Sequence, residues 1–346
     1  MGLRPRRPPF SPPAWKRLAK PGPVLALKGS SVNKSIAVIG AGAWGTALAV
    51  LFARAGRDVT LWARDAQKAE TMRQRRENPR LPGAGFPPGL RVTAEMPAAD
   101  ILVVAVPMQH LRGVLPSLSD APLVLCCKGL ETGTHLLPPE IVTGPCAILT
   151  GPNFAHEIAA GLPAAAVLAT PDAALRADLI KALHTPSFRL YGSPDSTGAA
   201  LGGAAKNVIA IAAGVVMGAG LGENARAALI TRGLAEIARL AAALGGKPET
   251  ISGLSGLGDL LLTCTGTSSR NYSLGFLLGQ GQSLAEILGG RSAVTEGVMT
   301  APALLARAAE AGVEMPITQA VTKLLAGEMN VPQTMTALMS RALKDE

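Results

Sequence analysis

The stretch IAVIGAGAWGTALAVLFARAG, residues 36–56, contains the glycine pattern G-x-G-x-x-G at Gly40, Gly42 and Gly45. Alone, this pattern is weak evidence for a nucleotide-binding turn, and in a chain with 39 glycines it can be a coincidental turn. It becomes informative when it follows a strand and opens a helix within a strand–helix–strand unit. The surrounding sequence predicts those elements: a buried apolar strand over 36–39, a helix over 46–55 that ends at Gly56, and a second strand over 58–62.

Each glycine has a separate role in a dinucleotide-binding turn. Gly40 allows the tight turn, Gly42 lets a pyrophosphate approach the backbone, and Gly45 lets the helix pack closely on the strand. The N-terminus of the helix adds free N–H groups and the positive end of the helix dipole. The context therefore favours a dinucleotide-binding unit over a coincidental turn.

The basic charge of the chain is concentrated at its N-terminus. Of a formal net charge of +9, +8 lies in residues 1–34, which contain no Asp or Glu, and this leaves +1 for the rest. Seven prolines and little apolar sequence predict that residues 1–34 form a disordered tail. A nearly neutral body is not typical of a protein that binds nucleic acid.

Apolar runs and cysteines exclude other classes of protein. The longest uncharged apolar run, residues 207–222, is shorter than the roughly 20 residues that span a bilayer, so no transmembrane segment is expected. The four cysteines and four histidines have neither metal-ligand nor disulfide-framework spacing, which predicts reduced cysteines, no metal site and a cytoplasmic location.

The chain changes character near residue 193. Residues 35–192 alternate predicted strands and helices, which is typical of a doubly wound parallel sheet, the α/β Rossmann fold. Residues 193–346 predict an all-α domain, beginning with a turn-rich segment and including a long helix capped by Asn224. Such a pair of domains suggests a dehydrogenase with its substrate in the interdomain cleft. The remaining predicted strands are 100–106, 123–127, 146–150 and 164–169, and the shorter C-terminal helices are 283–288, 301–311, 318–325 and 334–344.

Lys206 is unexpected in its surroundings. It lies in GGAAKNVIAIAAGVVMGAG, a predicted helix that is apolar on every side and should therefore be buried. Burial lowers the pKa of a lysine and suits it to proton transfer near neutral pH. The alternative is a lysine in the first turn whose ammonium reaches solvent.

A second polar group follows in GLGDLLLTCTGTSSRN. Asp259 precedes three leucines, and its commonest role at such a position is to cap a helix. The Ser268–Asn271 cluster can bind an oxyanion or phosphate, with Arg270 as the fork, or it can be a solvated loop. Lys128 and Asn153 each follow a predicted strand at the ligand edge of the sheet, where three cations, Lys128, Lys206 and Arg270, would suit a phosphorylated or carboxylated small substrate.

These segments resemble the bacterial-type NAD(P)-dependent glycerol-3-phosphate dehydrogenases. The resemblance runs from about residue 36 to the C-terminal RALKDE, and the blocks around Lys206 and Asp259 are its most specific motifs. It is carried by GAGAWGTALA, CCKGLE, LTGPNFAHEIAAGLPAA, LGGAAKNVIAIAAGVVMGAG, GLGDLLLTCTGTSSRN, TEGV and VEMPIT. The resemblance implies reversible reduction of dihydroxyacetone phosphate to sn-glycerol 3-phosphate, a phospholipid precursor, with NADP(H) or NAD(H).

The resemblance also implies roles for individual residues. Lys206 matches the general acid/base, Asp259 the carboxylate beside it, and Lys128 a further positive charge at the reacting oxygen. Asn153 departs from the family, which often has Thr or Ser there. The implied substrate-binding residues are Lys128, Gly151, Asn153, Lys206, Asn207, Asp259, Thr263, Ser269, Arg270 and Asn271. The implied cofactor-binding residues are Gly40, Gly42, Ala43, Trp44, Gly45, Arg64, Lys128, Ala155, Arg270, Val294 and Glu296.

Arg64 bears on the choice of cofactor. NAD-specific sheets usually carry an acidic residue at the end of the second strand, where it binds the ribose 2′-hydroxyl. Here Arg64 stands at that point and Asp65 one residue later, which predicts a preference for NADPH, with NADH accepted. If Arg64 is merely exposed to solvent, the enzyme should not discriminate between NADPH and NADH.

Two other functions remain open at this stage. A related hydroxyacid dehydrogenase would have the same architecture but lack the Arg270–Asn271 cluster. A non-catalytic nucleotide-sensing protein would have lost Lys206 or Asp259, and both are present. The Ala-rich C-terminal helices are compatible with a homodimer.

Overall fold

A computed structural model describes residues 34–289 and 295–340, and its N-terminal half is built on one sheet. The described residues lie in one compact unit. The spatial order of the eight strands is 3-2-1-4-5-6-7-8, and its first six follow the doubly wound dinucleotide-binding order. The strands are β1 (Ile36–Ile39), β2 (Val59–Trp62), β3 (Leu90–Thr93), β4 (Ile101–Val104), β5 (Leu123–Leu125), β6 (Cys146–Thr150), β7 (Ala164–Ala169) and β8 (Phe188–Ser193).

Strand direction is parallel through most of the sheet. β1 pairs in parallel with both β2 and β4, and the parallel pairing continues to β6. β7 runs antiparallel to β6 and parallel to β8, so the last two strands are reversed. The predicted Rossmann fold is therefore confirmed, with a mostly parallel sheet rather than a wholly parallel one.

Both faces of the sheet are covered, as in doubly wound folds. Along β1, Ala37 and Ile39 lie in one apolar core while Ile36 and Val38 lie in the other, because successive side chains point to opposite faces. The helices of this half are α1 (Ala43–Arg54), α2 (Ala66–Arg75), α3 (Leu111–Val114), α4 (Pro138–Ile141), α5 (Ala155–Ala160) and α6 (Ala173–Leu183).

The chain is helical after β8. α8 begins at Gly222 rather than after Asn224, because left-handed Gly220 and Gly222 turn the chain early enough for the helix to start there. A π-helical turn, Leu254–Gly258, leads directly into α10. The helices are α7 (Ser196–Gly218), α8 (Gly222–Ala243), α9 (Pro248–Ile251), α10 (Asp259–Cys264), α11 (Arg270–Gly279), α12 (Leu284–Gly289), α13 (Glu296–Glu310), α14 (Pro316–Leu325) and α15 (Val331–Met339).

α7 is the central helix of this half. Asp195 caps it by accepting a hydrogen bond from the Gly198 N–H at 2.8 Å. Among the described residues, it is the one helix whose length and apolarity would suffice to cross a membrane, but 94% of its most apolar window is buried inside the protein. It therefore serves as a core helix, and α8, α10, α11 and α13 pack on it.

Candidate active site

The glycine-rich turn between β1 and α1 has the geometry expected of a dinucleotide site. Gly40 has φ of +118°, and a Cβ there would lie 2.8 Å from the carbonyl oxygen of Ala105. A Cβ at Gly45 would overlap the Gly40 carbonyl group, whereas nothing lies within 4 Å of a Cβ placed on Gly42. The first and third glycines thus permit close packing, and the second borders open space.

This open space meets the N-terminus of α1. Gly42 is the N-cap and supplies no side-chain hydrogen bond, so the N–H groups at this helix end are not capped by it. Ala43 and Trp44 form the first turn of this helix. The turn therefore fits the pyrophosphate of a dinucleotide cofactor.

Arg64 and Asp65 differ in their local contacts. Arg64 is exposed just beyond β2. Asp65 caps α2, accepting a hydrogen bond from the Lys68 N–H at 3.0 Å, and pairs with the Lys68 ammonium at 3.4 Å. The Asp65 carboxylate, which could otherwise bind a ribose hydroxyl, thus already interacts with Lys68 of α2.

A Lys–Asp–Lys cluster lies where the sheet meets α7. Lys128 follows β5, Lys206 lies within α7 and Asp259 opens α10. One carboxylate oxygen of Asp259 accepts a hydrogen bond from the Lys128 ammonium at 2.6 Å, and the other accepts one from the Lys206 ammonium. Lys206 is 7% exposed and Asp259 1% exposed. Lys206 therefore does not reach solvent, and the Asp259 carboxylate binds two lysines rather than capping its helix.

The two lysines differ in pKa. The pKa of Lys206 is lowered to about 8: burial is the largest cause and the charge of Lys128 adds to it, while Asp259 opposes both. Burial also lowers the pKa of Lys128, but attraction and hydrogen bonding to Asp259 outweigh it and hold that pKa above its ordinary value. Lys206 can thus exchange a proton near neutral pH while Lys128 stays charged.

Close backbone packing holds Asp259 in place. The π-helical turn ends at Gly258, one residue before it. A Cβ at Gly202 of α7 would lie 2.6 Å from the carbonyl oxygen of Ser255, so only glycine admits this turn against α7. Short π-helical segments are frequent at functional sites.

Thr150 was not among the residues expected at the site. Its buried hydroxyl has no hydrogen-bond partner in the parts of the chain that are described. A Cβ at Gly203 would lie 2.8 Å from that hydroxyl and 3.8 Å from Cδ of Lys128, so Gly203 faces both. The sequence signal was the Gly202–Gly203 pair inside a helix, where glycine usually has a packing reason.

Two asparagines connect three helices beside the cluster. The Asn271 amide donates to the Asn207 side-chain oxygen at 2.9 Å, and the Asn271 oxygen accepts from the Gly297 N–H at 3.0 Å. The Asn207 side-chain nitrogen is buried without a hydrogen-bond partner among the described residues. It is therefore a donor that a substrate oxygen can use.

Two hydroxyl groups of the expected site make local hydrogen bonds instead. Ser269 caps α11 by accepting from the Tyr272 N–H at 3.2 Å, and Thr263 donates to the Asp259 carbonyl at 2.6 Å. Arg270 is the first residue of α11. Arg270 and Asn271 thus lie in the first turn of a helix rather than in a loop, with Arg270 exposed and Asn271 buried, and a helix N-terminus favours an anion.

Glu296 lies among the site cations. Burial raises the pKa of Glu296, whereas the positive charges of Arg270, Lys128 and Lys206 lower it. Gly151 and Asn153 follow β6, and the Asn153 amide donates to the Ala165 carbonyl at 3.2 Å. Ala155 opens α5. The structure thus brings Lys128, Lys206, Asp259 and Glu296 together, while Val294 lies outside the described residues.

Residues 34–289 and 295–340 contain no group of three or more His, Cys, Asp or Glu side chains that could hold a metal ion. The four cysteines are free, and burial raises the pKa of Cys126 to about 12. These thiols are therefore poor nucleophiles.

Comparison with known proteins agrees with this geometry. Residues 35–176 match the model of the NAD-dependent glycerol-3-phosphate dehydrogenase N-terminus, and residues 195–336 match that of the C-terminus. Glycerol-3-phosphate dehydrogenase [NAD(P)+] of Acidiphilium cryptum is 59% identical over 323 residues, 91% of this chain and 99% of that protein. The Bradyrhizobium sp. protein of the same name is 53% identical, over 90% of this chain and 98% of its own.

Solved structures extend the comparison. The glycerol-3-phosphate dehydrogenase of Coxiella burnetii has a TM-score of 0.85 and 38% identity, and the match covers 89% of this chain and 99% of that one. D-mandelate dehydrogenase shares the fold alone, with a TM-score of 0.58 at 16% identity over 85% of this chain and 98% of its own. With both halves matched and full-length relatives above 50% identity, the chain belongs to the NAD-dependent glycerol-3-phosphate dehydrogenase family.

Proposed function

We propose that this chain catalyses the reversible NAD(P)H-dependent reduction of dihydroxyacetone phosphate to sn-glycerol 3-phosphate, which supplies a phospholipid precursor. The observation that carries the proposal is the buried ion pair of Lys206 with Asp259. The relatives bear this activity in their names.

Bound NAD(P)H supplies the hydride that reduces the ketone carbon. Lys206 gives its proton to the oxygen that becomes the product hydroxyl, and its lowered pKa favours that transfer. Asp259 orients the ammonium, and Lys128, which stays charged, stabilises the negative charge that develops on the same oxygen. In the reverse direction neutral Lys206 accepts the proton.

Arg270 holds the phosphate in this proposal. Its guanidinium can form two parallel hydrogen bonds with phosphate oxygens, and the N-terminus of α11 adds a favourable dipole. Asn207 and Asn271 provide neutral donors and acceptors between this phosphate and Lys206. Binding energy at the phosphate thereby positions the carbonyl group. The assignments of Gly151, Asn153, Thr263, Ser269, Ala155, Val294 and Glu296 to substrate or cofactor remain part of this proposal.

Comparing phosphorylated with unphosphorylated dihydroxyacetone tests the proposed function. Oxidation of NADPH with dihydroxyacetone phosphate should be efficient, and dihydroxyacetone should be a poor substrate. Arg270→Ala should raise KM for the phosphorylated ketone by about 10- to 100-fold, the effect of losing a charged hydrogen bond, and leave kcat/KM for dihydroxyacetone almost unchanged. Arg270→Lys keeps the positive charge but loses the planar guanidinium. Its KM for dihydroxyacetone phosphate should therefore lie between the values of the parent and of Arg270→Ala. Equal efficiency on both ketones would contradict the phosphate site.

Arg64→Ala should reduce the preference for NADPH over NADH. Its guanidinium suits a ribose 2′-phosphate, while Asp65 is occupied in capping α2. We expect the ratio of kcat/KM for NADPH to that for NADH to fall by about tenfold or more. Arg189→Ala, an exposed arginine on β8 at the far edge of the sheet, is the control and should leave the ratio unchanged. An unchanged ratio in Arg64→Ala would show that residues other than Arg64 determine the choice of cofactor.

Location and assembly also belong to the proposal. We expect a cytoplasmic enzyme that acts on small phosphorylated molecules. The expected homodimer is tested by measuring the molar mass of the purified protein in solution.

A further inference from the structure

Asn78 lies outside the expected site and yet contacts the dinucleotide turn. It belongs to the loop between α2 and β3 and is 3% exposed. Its side-chain nitrogen donates to the Ala41 carbonyl at 3.0 Å and to the Thr46 hydroxyl oxygen at 2.7 Å. Ala41 lies between the first two glycines of the pattern, and Thr46 follows the third. One amide therefore binds the turn on both sides.

The contact with Ala41 determines the direction of a peptide plane. In a planar trans peptide, the carbonyl of one residue and the N–H of the next point in opposite directions. Because the Ala41 carbonyl points to Asn78, the Gly42 N–H points away from Asn78. Open space borders Gly42, and in this fold the pyrophosphate approaches the backbone at that glycine. Asn78 thus fixes the direction of the Gly42 N–H, at the glycine where the pyrophosphate approaches the backbone in this fold.

Asn78 itself is fixed on its remaining side. Its side-chain oxygen accepts a hydrogen bond from the Arg80 N–H at 3.0 Å, and its backbone carbonyl accepts one from the Leu81 N–H at 2.8 Å. Leu81 and Phe86 of the same loop are buried in the core that contains α1. One donor, the Arg80 N–H, and two acceptors, on Ala41 and Thr46, therefore set the orientation of the Asn78 amide. The loop that carries Asn78 is itself packed against α1.

We propose that Asn78 is a positioning residue for the dinucleotide cofactor, which preorganises the Ala41–Gly42 peptide for the pyrophosphate. The inference rests on the proposed use of NAD(P)H but not on the identity of the ketone substrate. Preorganisation lowers the free-energy cost of binding, because the peptide does not have to reorient when the phosphate arrives. The effect of losing it should thus fall on cofactor affinity rather than on the chemical step.

The test uses two variants that separate the two contacts. Asn78→Asp keeps the size of the side chain and the acceptor for Arg80 but loses both donated hydrogen bonds. Thr46→Val removes only the second acceptor and leaves the contact with Ala41 intact. We expect Asn78→Asp to raise Kd for NADPH, measured by the fluorescence of the bound cofactor, by about tenfold. Thr46→Val should keep Kd within about twofold, although both variants lose stability.

Kinetics provide a second readout. In Asn78→Asp, KM for NADPH should rise with Kd, while kcat and KM for dihydroxyacetone phosphate stay near the parent values. If Asn78 merely stabilises the fold, Asn78→Asp and Thr46→Val lower the melting temperature and leave Kd unchanged below it, which overturns the proposal. If the parent binds NADPH but does not reduce dihydroxyacetone phosphate, the proposed function fails, and the Kd comparison still decides the role of Asn78.

Discussion

Replacing Lys206 with Met is expected to lower turnover by about 10²- to 10⁴-fold, the usual loss on removing a general acid, while affinity for NADPH changes little. Met keeps an aliphatic chain in the buried site and removes only the ammonium. Asp259 retains its hydrogen bond from Lys128, so the carboxylate is not left alone. A folded Lys206→Met protein with turnover within about tenfold of the parent would show that Lys206 is structural.

The pH dependence of the parent tests the same assignment. Because the pKa of Lys206 is about 8 and the reduction needs the protonated form, kcat/KM for ketone reduction should fall as pH rises through about 8. Oxidation of the alcohol needs the neutral form and should rise through the same interval. Both profiles are measured on one preparation with each substrate pair.

Lys128→Met separates the two lysines. The charge of Lys128 lowers the pKa of Lys206, so its removal should move the break in the profile to higher pH. The rate should also fall, because a charge that stabilises the developing oxyanion is lost. Loss of the break itself, rather than its displacement, would assign the proton transfer to Lys128.

Buried strands were predictable because their sequences are apolar on both faces. The predicted bounds of β1, β6 and β7 match the structure, and each is dominated by buried residues. β3 and β8 lie at the two edges of the sheet and alternate buried with exposed side chains, so neither has a continuous apolar run. Strand direction depends on how connections cross the sheet, which explains why the reversal at β7 was not foreseen.

The site was predictable where a residue conflicted with its surroundings. Lys206 stood out because it is a charged residue in an otherwise apolar helix. The structure shows that its side chain is buried there. The pairing with Asp259, 53 residues away, comes from tertiary packing that local pattern does not encode. Asn78 escaped notice because a polar residue in a loop is ordinary until its carbonyl and hydroxyl partners are known.

Asp259→Asn is expected to destabilise the protein more than any other single change of charge at this site. Asp259 is 1% exposed and accepts a hydrogen bond from an ammonium group on each of its two oxygens. An asparagine would present an NH₂ donor to one of them and leave both charges without a carboxylate. Removing one partner of a buried ion pair typically costs about 3–5 kcal/mol. Turnover should fall as well, because the orientation of Lys206 is lost.

The pH dependence of this loss distinguishes electrostatics from packing. Asp259 raises the pKa of Lys206, so the variant has a lower folded-state pKa, further below the unfolded value of about 10.4. Between those two values the unfolded chain binds more protons, and stability rises with pH. The free energy of unfolding, measured in urea at about pH 6.5, 7.5 and 9, should therefore rise more steeply for Asp259→Asn than for the parent below pH 8.

Asp195→Asn is the matched control for this prediction. Asp195 is also buried, but it accepts hydrogen bonds from the backbone N–H groups of Gly198 and Lys247. An asparagine oxygen can replace one of these contacts, so the loss should be about 1 kcal/mol and independent of pH over this interval. If Asp259→Asn lowers the free energy of unfolding by a similar, pH-independent amount, the Asp259 side chain contributes packing and hydrogen bonds but not its charge. A larger loss that shrinks as Lys206 deprotonates would show that the negative charge of Asp259, facing Lys206 and Lys128, maintains the site.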